Sequence, residues 1–244
     1  MNPIILIPAR LGATRLPGKP LLDIAGKPMI AHVLARALEA DVGPVVVATP
    51  DIEIADAVRA AGGRAQMTRF DHESGSDRVA EALAVIDPDR RHDCVMNLQG
   101  DLPVLEPETV RRPLALLADP EIAIATPVAV AAAHERTDPN VVKAVFEPDS
   151  SGRRGRAFYF TRGIAPGGDG PLYHHIGLYA FQRAALERFV RTPQSVLERR
   201  ERLEQLRALA LGFRIEVAVV DSVPLGVDTQ ADLERARALI GGGR

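Results

Sequence analysis

Three cations and two glycines share ten residues near the start of the chain: Arg10, Gly12, Arg15, Gly18 and Lys19, directly after the apolar run "IILIP" (4–8). Fixed positive charges on a loop whose glycines let backbone N–H groups approach closely suit an anion rich in oxygens, and a triphosphate uses several such charges at once. Solvation of a surface loop is the plainer alternative. The spacing fits neither G-x-x-x-x-G-K-[ST] nor G-x-G-x-x-G, so neither of those loops is implied.

Two acids are the natural complement. Asp101 follows the buried run "CVMNLQG", which places a carboxylate at a strand's carboxyl end, with Gly100 expected to give the backbone freedom to turn. Position alone makes it a metal ligand or a turn aspartate. Asp228, in "GVDT", reads equally as a metal ligand or as the N-cap of the last helix, a role for which Thr229 competes. Arg78, in "SGSDR", either approaches a nucleotide or pairs with an acid on its own helix. The single cysteine, Cys94, lies in an apolar stretch and reads as a small core residue.

These residues need a frame. The runs "IILIP" (4–8), "VVVAT" (45–49), "CVMNL" (94–98) and "IAIATPVAV" (122–130) are too short for helices and too continuous for half-exposed strands, so they predict strands covered on both faces. Between them, Met29, Ile30, Val33, Leu34, Ala37 and Leu38 fall on one helical face, Asp51 is placed to cap 52–61 before Gly62-Gly63, and Ser74 or Ser76 caps a helix through Ile86. Alternating strands and helices predict an α/β fold with a mostly parallel central sheet flanked by helices. In open sheets of this kind ligands bind beyond the strands' carboxyl ends, where the cationic loop leaves its strand.

The second half changes character. Strands are expected at "VVKAVF" (141–146), "AFYF" (157–160), "HHIGLYAF" (174–181) and "IEVAVV" (215–220), with "SSGRRGR" (150–156) a hairpin or loop and "GIAPGGDGP" (163–171) a flexible loop. Helices are expected over about 197–211 and 229–240. The chain reads as one domain over 1–244, with a nucleotide-binding part to about residue 130 and a smaller acceptor-binding and dimerisation lobe over about 131–225.

Thirty basic and 32 acidic residues leave a formal charge of −2, so no global field draws the molecule to nucleic acid or an anionic membrane, and any anion site is local. The N-terminal segment lacks a basic region, and its apolar run is too short for a signal peptide or a membrane span. A cytoplasmic location is expected.

The loop "IPARLGATRLPGKPL" resembles the signature of the nucleotidyltransferases that make CMP-activated acidic sugars, most closely the branch acting on 3-deoxy-manno-octulosonate (Kdo). Seven further blocks match in order: "MTRFDHESGSDRVAE", "NLQGDLPVL", "DPNVVKAVF", "YFTR", "HHIGLYAF", "LEQLRAL" and "GVDTQADLERAR". The resemblance covers nearly the whole chain. It implies a Rossmann-like nucleotidyltransferase fold and transfer of CMP from CTP to the anomeric hydroxyl of Kdo, for lipopolysaccharide biosynthesis. It also implies Mg²⁺ as cofactor and a homodimer.

By residue, the resemblance places Ala9, Arg10, Gly12, Arg15, Lys19, Ser74, Arg78 and Asp101 at the nucleotide. It makes Arg10, Lys19, Asp101 and Asp228 catalytic, with Asp101 and Asp228 as the Mg²⁺ pair. Gln99, Arg162, His175, Tyr179, Glu204 and Gln205 match sugar-binding positions, with His175 and Tyr179 four apart and so expected on one side of one strand. Taken without it, the histidine and tyrosine read as core residues and Glu204 as an exposed helix charge. Three departures bear on the sugar: "QGDLP" puts Leu102 where the family usually has an acid, 163–173 is short, and "PLGVDT" lacks a residue. An amino-substituted Kdo or a sialic-acid-like nonulosonate is the alternative acceptor, and a nucleotide sensor without turnover the alternative class.

Overall fold

Strand β1 (Pro3–Pro8) is the hub of the first compact unit, because the four residues at its centre are buried and expose no polar side chain that would need water. The computed structural model describes residues 1–12 and 16–242. A two-stranded ribbon follows, β2 (Asp23–Ile24) with β3 (Lys27–Pro28), and leads into helix α1 (Met29–Glu39). β4 (Val45–Thr49), α2 (Ile52–Ala60), β5 (Arg64–Met67), α3 (Gly75–Ile86) and β6 (Cys94–Asn97) complete the strand–helix alternation. These strands pair in parallel, in the order β6-β1-β4-β5.

Local chemistry accounts for the boundaries. Gly62 takes φ 79° just after α2, the left-handed position that glycine reaches without a Cβ penalty. Ser74, not Ser76, caps α3 through a capping box with Asp77, while Ser76 is buried and accepts from Asn97 Nδ2. Two expectations are corrected. Leu38 is 52 % exposed, because the apolar stripe of α1 ends at Ala37. Asp51 sits at the N-cap of α2 but makes no side-chain cap, since its Oδ2 accepts the Leu11 N–H at 2.7 Å and so ties the cationic loop to β4's end.

The chain then runs through α4 (Pro107–Leu116) into a second unit, 111–223. It holds β7 (Ile124–Val130), β8 (Lys143–Pro148), β9 (Arg154–Thr161), β10 (Tyr173–His175), β11 (Tyr179–Gln182), α5 (Arg183–Arg191), α6 (Val196–Glu201), α7 (Gln205–Ala210) and β12 (Ile215–Val219). Here only β7 and β12 pair in parallel; the β8–β9 hairpin and the other pairings are antiparallel. The α/β architecture is as expected, with a mixed sheet in which the parallel order is concentrated in the first unit.

Two second-unit elements differ from expectation. "HHIGLYAF" is not one strand: β10 and β11 both pair with β7, but with registers two residues apart. The interruption faces Thr126-Pro127, where Pro127 has no N–H to offer a ladder. There Ile176 N–H donates to Pro127 C=O and Thr126 Oγ1 donates to Leu178 C=O. The helix expected over 197–211 is likewise two helices, broken at Arg202, which adopts φ 58°.

α8 (Gln230–Gly241) belongs with the first unit. Its Leu233 and Ala236 pack with Val227 against Ile24 and Met29, so the last twenty or so residues close a core begun by the first thirty.

Candidate active site

Gly18 takes φ 66° and begins a short 3₁₀ turn, Lys19–Leu21. That turn delivers Lys19 to both acids: its Nζ donates to Asp101 Oδ2 at 2.8 Å and to Asp228 Oδ1 at 3.0 Å. The two acids are also joined through their backbones, since Val227 N–H donates to Asp101 C=O at 3.0 Å. Thr229, with Asp232 in a capping box, caps α8. Asp228 is thereby spared the capping role and turns its carboxylate to Lys19.

Burial lowers the Lys19 pKa, but Asp101 and Asp228 more than offset it, and the net value lies above that of an ordinary lysine. The site therefore holds a fixed ammonium between two carboxylates. Oxygens that share one ammonium at these distances can share one divalent cation, and Mg²⁺ takes one or two carboxylates and completes its octahedron with phosphate and water oxygens. Among the described residues no group of three or more His, Cys, Asp or Glu gathers as a full protein cage.

A cleft of about 350 Å³ surrounds this pair. Its lining includes Ala9, Arg10, Gly12, Lys19, Ser74, Arg78, Gln99, Asp101 and Asp228. Residues distant in sequence are thus collected by the ends of β1 and β6 and by the start of α3. Gly12 borders open space, so backbone at that position is accessible to a ligand. Arg15 lies outside the described residues.

Gly100 has a different reason from the one expected. Its φ is not positive; instead a Cβ there would lie 3.0 Å from Pro8 C=O, so glycine lets the exit of β6 pass close to the end of β1. Leu102 is buried and faces Gly226, whose own Cβ would lie 3.7 Å from Leu102 Cδ2.

Among the described residues Arg78 makes no hydrogen bond to an acid. Buried at 2 % exposure, it donates from Nη1 to Thr68 Oγ1 at 2.6 Å and to Arg69 C=O at 2.9 Å, both neutral oxygens. Burial, and then the nearby Arg10 charge, lower its pKa. Two guanidiniums held close at one cleft wall favour an anion between them.

His72 and Glu73 also line the cleft and were not foreseen. His72 pairs with Glu81, which also accepts the Arg69 N–H. The available signal was a histidine two residues before the capping serine of a helix beside the anion loop.

The second unit holds the remaining residues. His175 is 6 % exposed, with its ring nitrogen 2.9 Å from Thr126 Oγ1 and its ring packed on Phe160. Its ring lies 5.5 Å from that of Tyr179, so the two meet although they stand on separate strands. Tyr179 donates to Gln205 Oε1 at 3.0 Å, and Gln205 Nε2, also buried, has no partner among the described residues. Glu204 is half-buried at the start of α7 rather than exposed on a long helix. Arg162 donates from Nε to Glu201 C=O and from Nη1 to Pro139 C=O.

Burial, and then the neighbouring His174, push His175 down to a pKa of about 3, below the ordinary value of 6.5. The unfolded chain therefore takes up a proton near pH 6.5 that the folded one refuses until about pH 3. This contribution to stability is complete above pH 6.5 and declines as pH falls, by about 1.4 kcal/mol per unit. His175→Gln should flatten the acid limb of urea-derived stability by about one proton's slope; an unchanged slope would show that another group sets it.

Fold and site together define a nucleotidyltransferase, and the chain belongs to the cytidylyltransferase family, whose model matches residues 4–215. It is 65% identical over 240 residues to the 3-deoxy-manno-octulosonate cytidylyltransferase of Rhodospirillum centenum, covering 98% of this chain and 93% of that one. A second, from Methylobacterium radiotolerans, is 60% identical over 244 residues, covering 100% and 98%. The structure of CMP:2-keto-3-deoxy-manno-octonic acid synthetase complexed with CTP superposes with a TM-score of 0.91 at 41% identity, over the full length of both chains. Within its family the chain groups with the 3-deoxy-manno-octulosonate cytidylyltransferases.

Proposed function

We infer that this protein transfers CMP from CTP to the anomeric hydroxyl of Kdo, releasing pyrophosphate and supplying CMP-Kdo for lipopolysaccharide biosynthesis. The observation that carries this is the convergence of Asp101 and Asp228 on one cation in the cleft that also presents Arg10 and Arg78. Relatives with this name over nearly their full length support the acceptor.

In this reading Arg10, Arg15 and Lys19 take the triphosphate and stabilise the leaving pyrophosphate, with Ala9, Gly12, Ser74 and Arg78 at the nucleotide. Asp101 and Asp228 hold Mg²⁺, which when bound neutralises phosphate charge and lowers the pKa of the sugar hydroxyl. Lys19 then exchanges its carboxylate partners for phosphate oxygens. Gln99, Arg162, His175, Tyr179, Glu204 and Gln205 hold the sugar. Gln205's unpartnered buried Nε2 supports this assignment, because a buried amide N–H is costly unless a ligand oxygen accepts it.

The enzyme is a cytoplasmic homodimer in this reading. Among the described residues no helix is long and apolar enough to cross a membrane. Phe158 and Val196, 57% and 70% exposed on the second unit, are candidate dimer contacts.

Pyrophosphate release should be measured with CTP, Mg²⁺ and a panel of acidic sugars. Kdo should be preferred; preference for a nine-carbon acid would move the protein to another branch, and no turnover with any acid would favour a nucleotide sensor. Chelation with EDTA should abolish release and added Mg²⁺ restore it.

A further inference from the structure

Lys143 is fully buried on β8, and among the described residues no carboxylate hydrogen-bonds it. Its Nζ donates instead to three main-chain carbonyls: Asp138 at 2.6 Å, Val141 at 2.9 Å and Arg162 at 3.3 Å. A lysine ammonium has three donors, so all are used and none is left for a ligand. Burying such a charge is expensive even with the Asp138 and Glu135 carboxylates near enough to offset part of the cost, and an apolar side chain of similar length would fill the space at lower cost. The lysine therefore calls for an explanation beyond packing.

Its acceptors supply one. The Arg162 guanidinium is anchored by Nη1 on Pro139 C=O at 3.1 Å and Asn140 C=O at 3.5 Å, carbonyls of the turn that Lys143 grips on either side. Lys143 also holds the Arg162 carbonyl itself. Both the main chain of Arg162 and the turn that seats its guanidinium are thus fixed to one ammonium. Arg162 Nε is taken by Glu201 C=O, which leaves Nη2 without an acceptor among the described residues.

We propose that Lys143 is a positioning residue for acceptor binding: it fixes the turn 138–141 to Arg162, so that Nη2 is presented to the carboxylate of the acidic sugar. This rests on the reading of Arg162 as a sugar-binding residue. In this role Lys143 acts through Arg162, its three donors being taken by main-chain carbonyls.

The test is a double-mutant cycle on the full-length protein with Lys143→Met, Arg162→Ala and the pair, reading KM for Kdo and for CTP separately. Lys143→Met should raise the KM for Kdo on the order of tenfold, the scale expected when a binding group shifts, with the KM for CTP unchanged. In the Arg162→Ala background the same change should have no further effect beyond about twofold, because coupled residues are non-additive. Additive losses, or equal losses for CTP and Kdo, would overturn the proposal by showing a general structural role. If Arg162→Ala leaves the KM for Kdo untouched, the reading of Arg162 fails instead. Should Lys143→Met fold poorly, Lys143→Arg keeps the charge and gives the same arms: retained Kdo affinity supports the proposal, whereas a Kdo loss that is additive with Arg162→Ala overturns it.

Discussion

Asp101→Asn leaves the protein folded and able to bind CTP in the absence of metal, yet lowers kcat/KM by roughly a thousandfold. The size follows from the several kilocalories of charge stabilisation that a metal supplies, at about 1.4 kcal/mol per tenfold in rate. Retained CTP binding follows from the division of labour in the cleft, where Arg10, Arg78 and the backbone near Gly12 do not depend on the acid. In the variant the Lys19 ammonium keeps Asp228 as a charged partner at 3.0 Å. Turnover assays with titrated Mg²⁺ and calorimetry with CTP check the two halves. Loss of CTP binding together with activity would mean that Asp101 shapes the pocket and does not hold the metal, and near-normal turnover would remove it from the mechanism.

Glu198→Ala should cost about 3–5 kcal/mol of stability, the range for removing one partner of a buried ion pair. Glu198 and Arg207 are 5% and 6% exposed, and two hydrogen bonds join them at 2.6 and 2.9 Å. Glu198 also accepts the Ser195 N–H in the capping box of α6. Its loss strands Arg207 over the Phe189 ring, 4.3 Å from the centroid, with the Phe189 and Thr192 carbonyls as its remaining acceptors among the described residues. The midpoint of urea unfolding should fall accordingly. A Glu198→Met, Arg207→Met pair should recover most of the loss, because apolar replacement of both ions removes their desolvation cost. A Glu198→Ala variant within about 1 kcal/mol of the parent would contradict the burial of the pair.

That ion pair spans a helix break that the sequence conceals. Leu203, Leu206 and Ala210 continue an apolar stripe across 197–211, so periodicity alone predicts one helix. The break is made by Arg202 in the left-handed region, a conformation that glycine or asparagine would advertise and arginine does not. The division of "HHIGLYAF" was similarly hidden, because the residue responsible, Pro127, lies on the partner strand. By contrast β1, β4 and β6 were legible because unbroken apolar runs have few other uses, and α8 because a capping residue, Asp228 or Thr229, announces its start.

The chemical groups of the first unit were legible as types: three cations on one loop and two acids after strands. Their mutual arrangement was not. Lys19 meets acids 82 and 209 residues away, and no local pattern encodes a contact at such separations. The choice between capping and ligation for Asp228 needed the structure, which gives the capping role to Thr229.

The closing of the first unit's core by Val227, Leu233 and Ala236 sets an order on synthesis. A ribosome that has made residues 1–110 holds an unfinished unit, with Ile24 and Met29 still lacking their partners. It must translate the whole intervening stretch before those partners emerge, a delay on the order of ten seconds at bacterial-scale elongation rates. Asp228 emerges with those same late residues, so a messenger truncated before them yields a chain that lacks both the closing core residues and one of the two acids around Lys19.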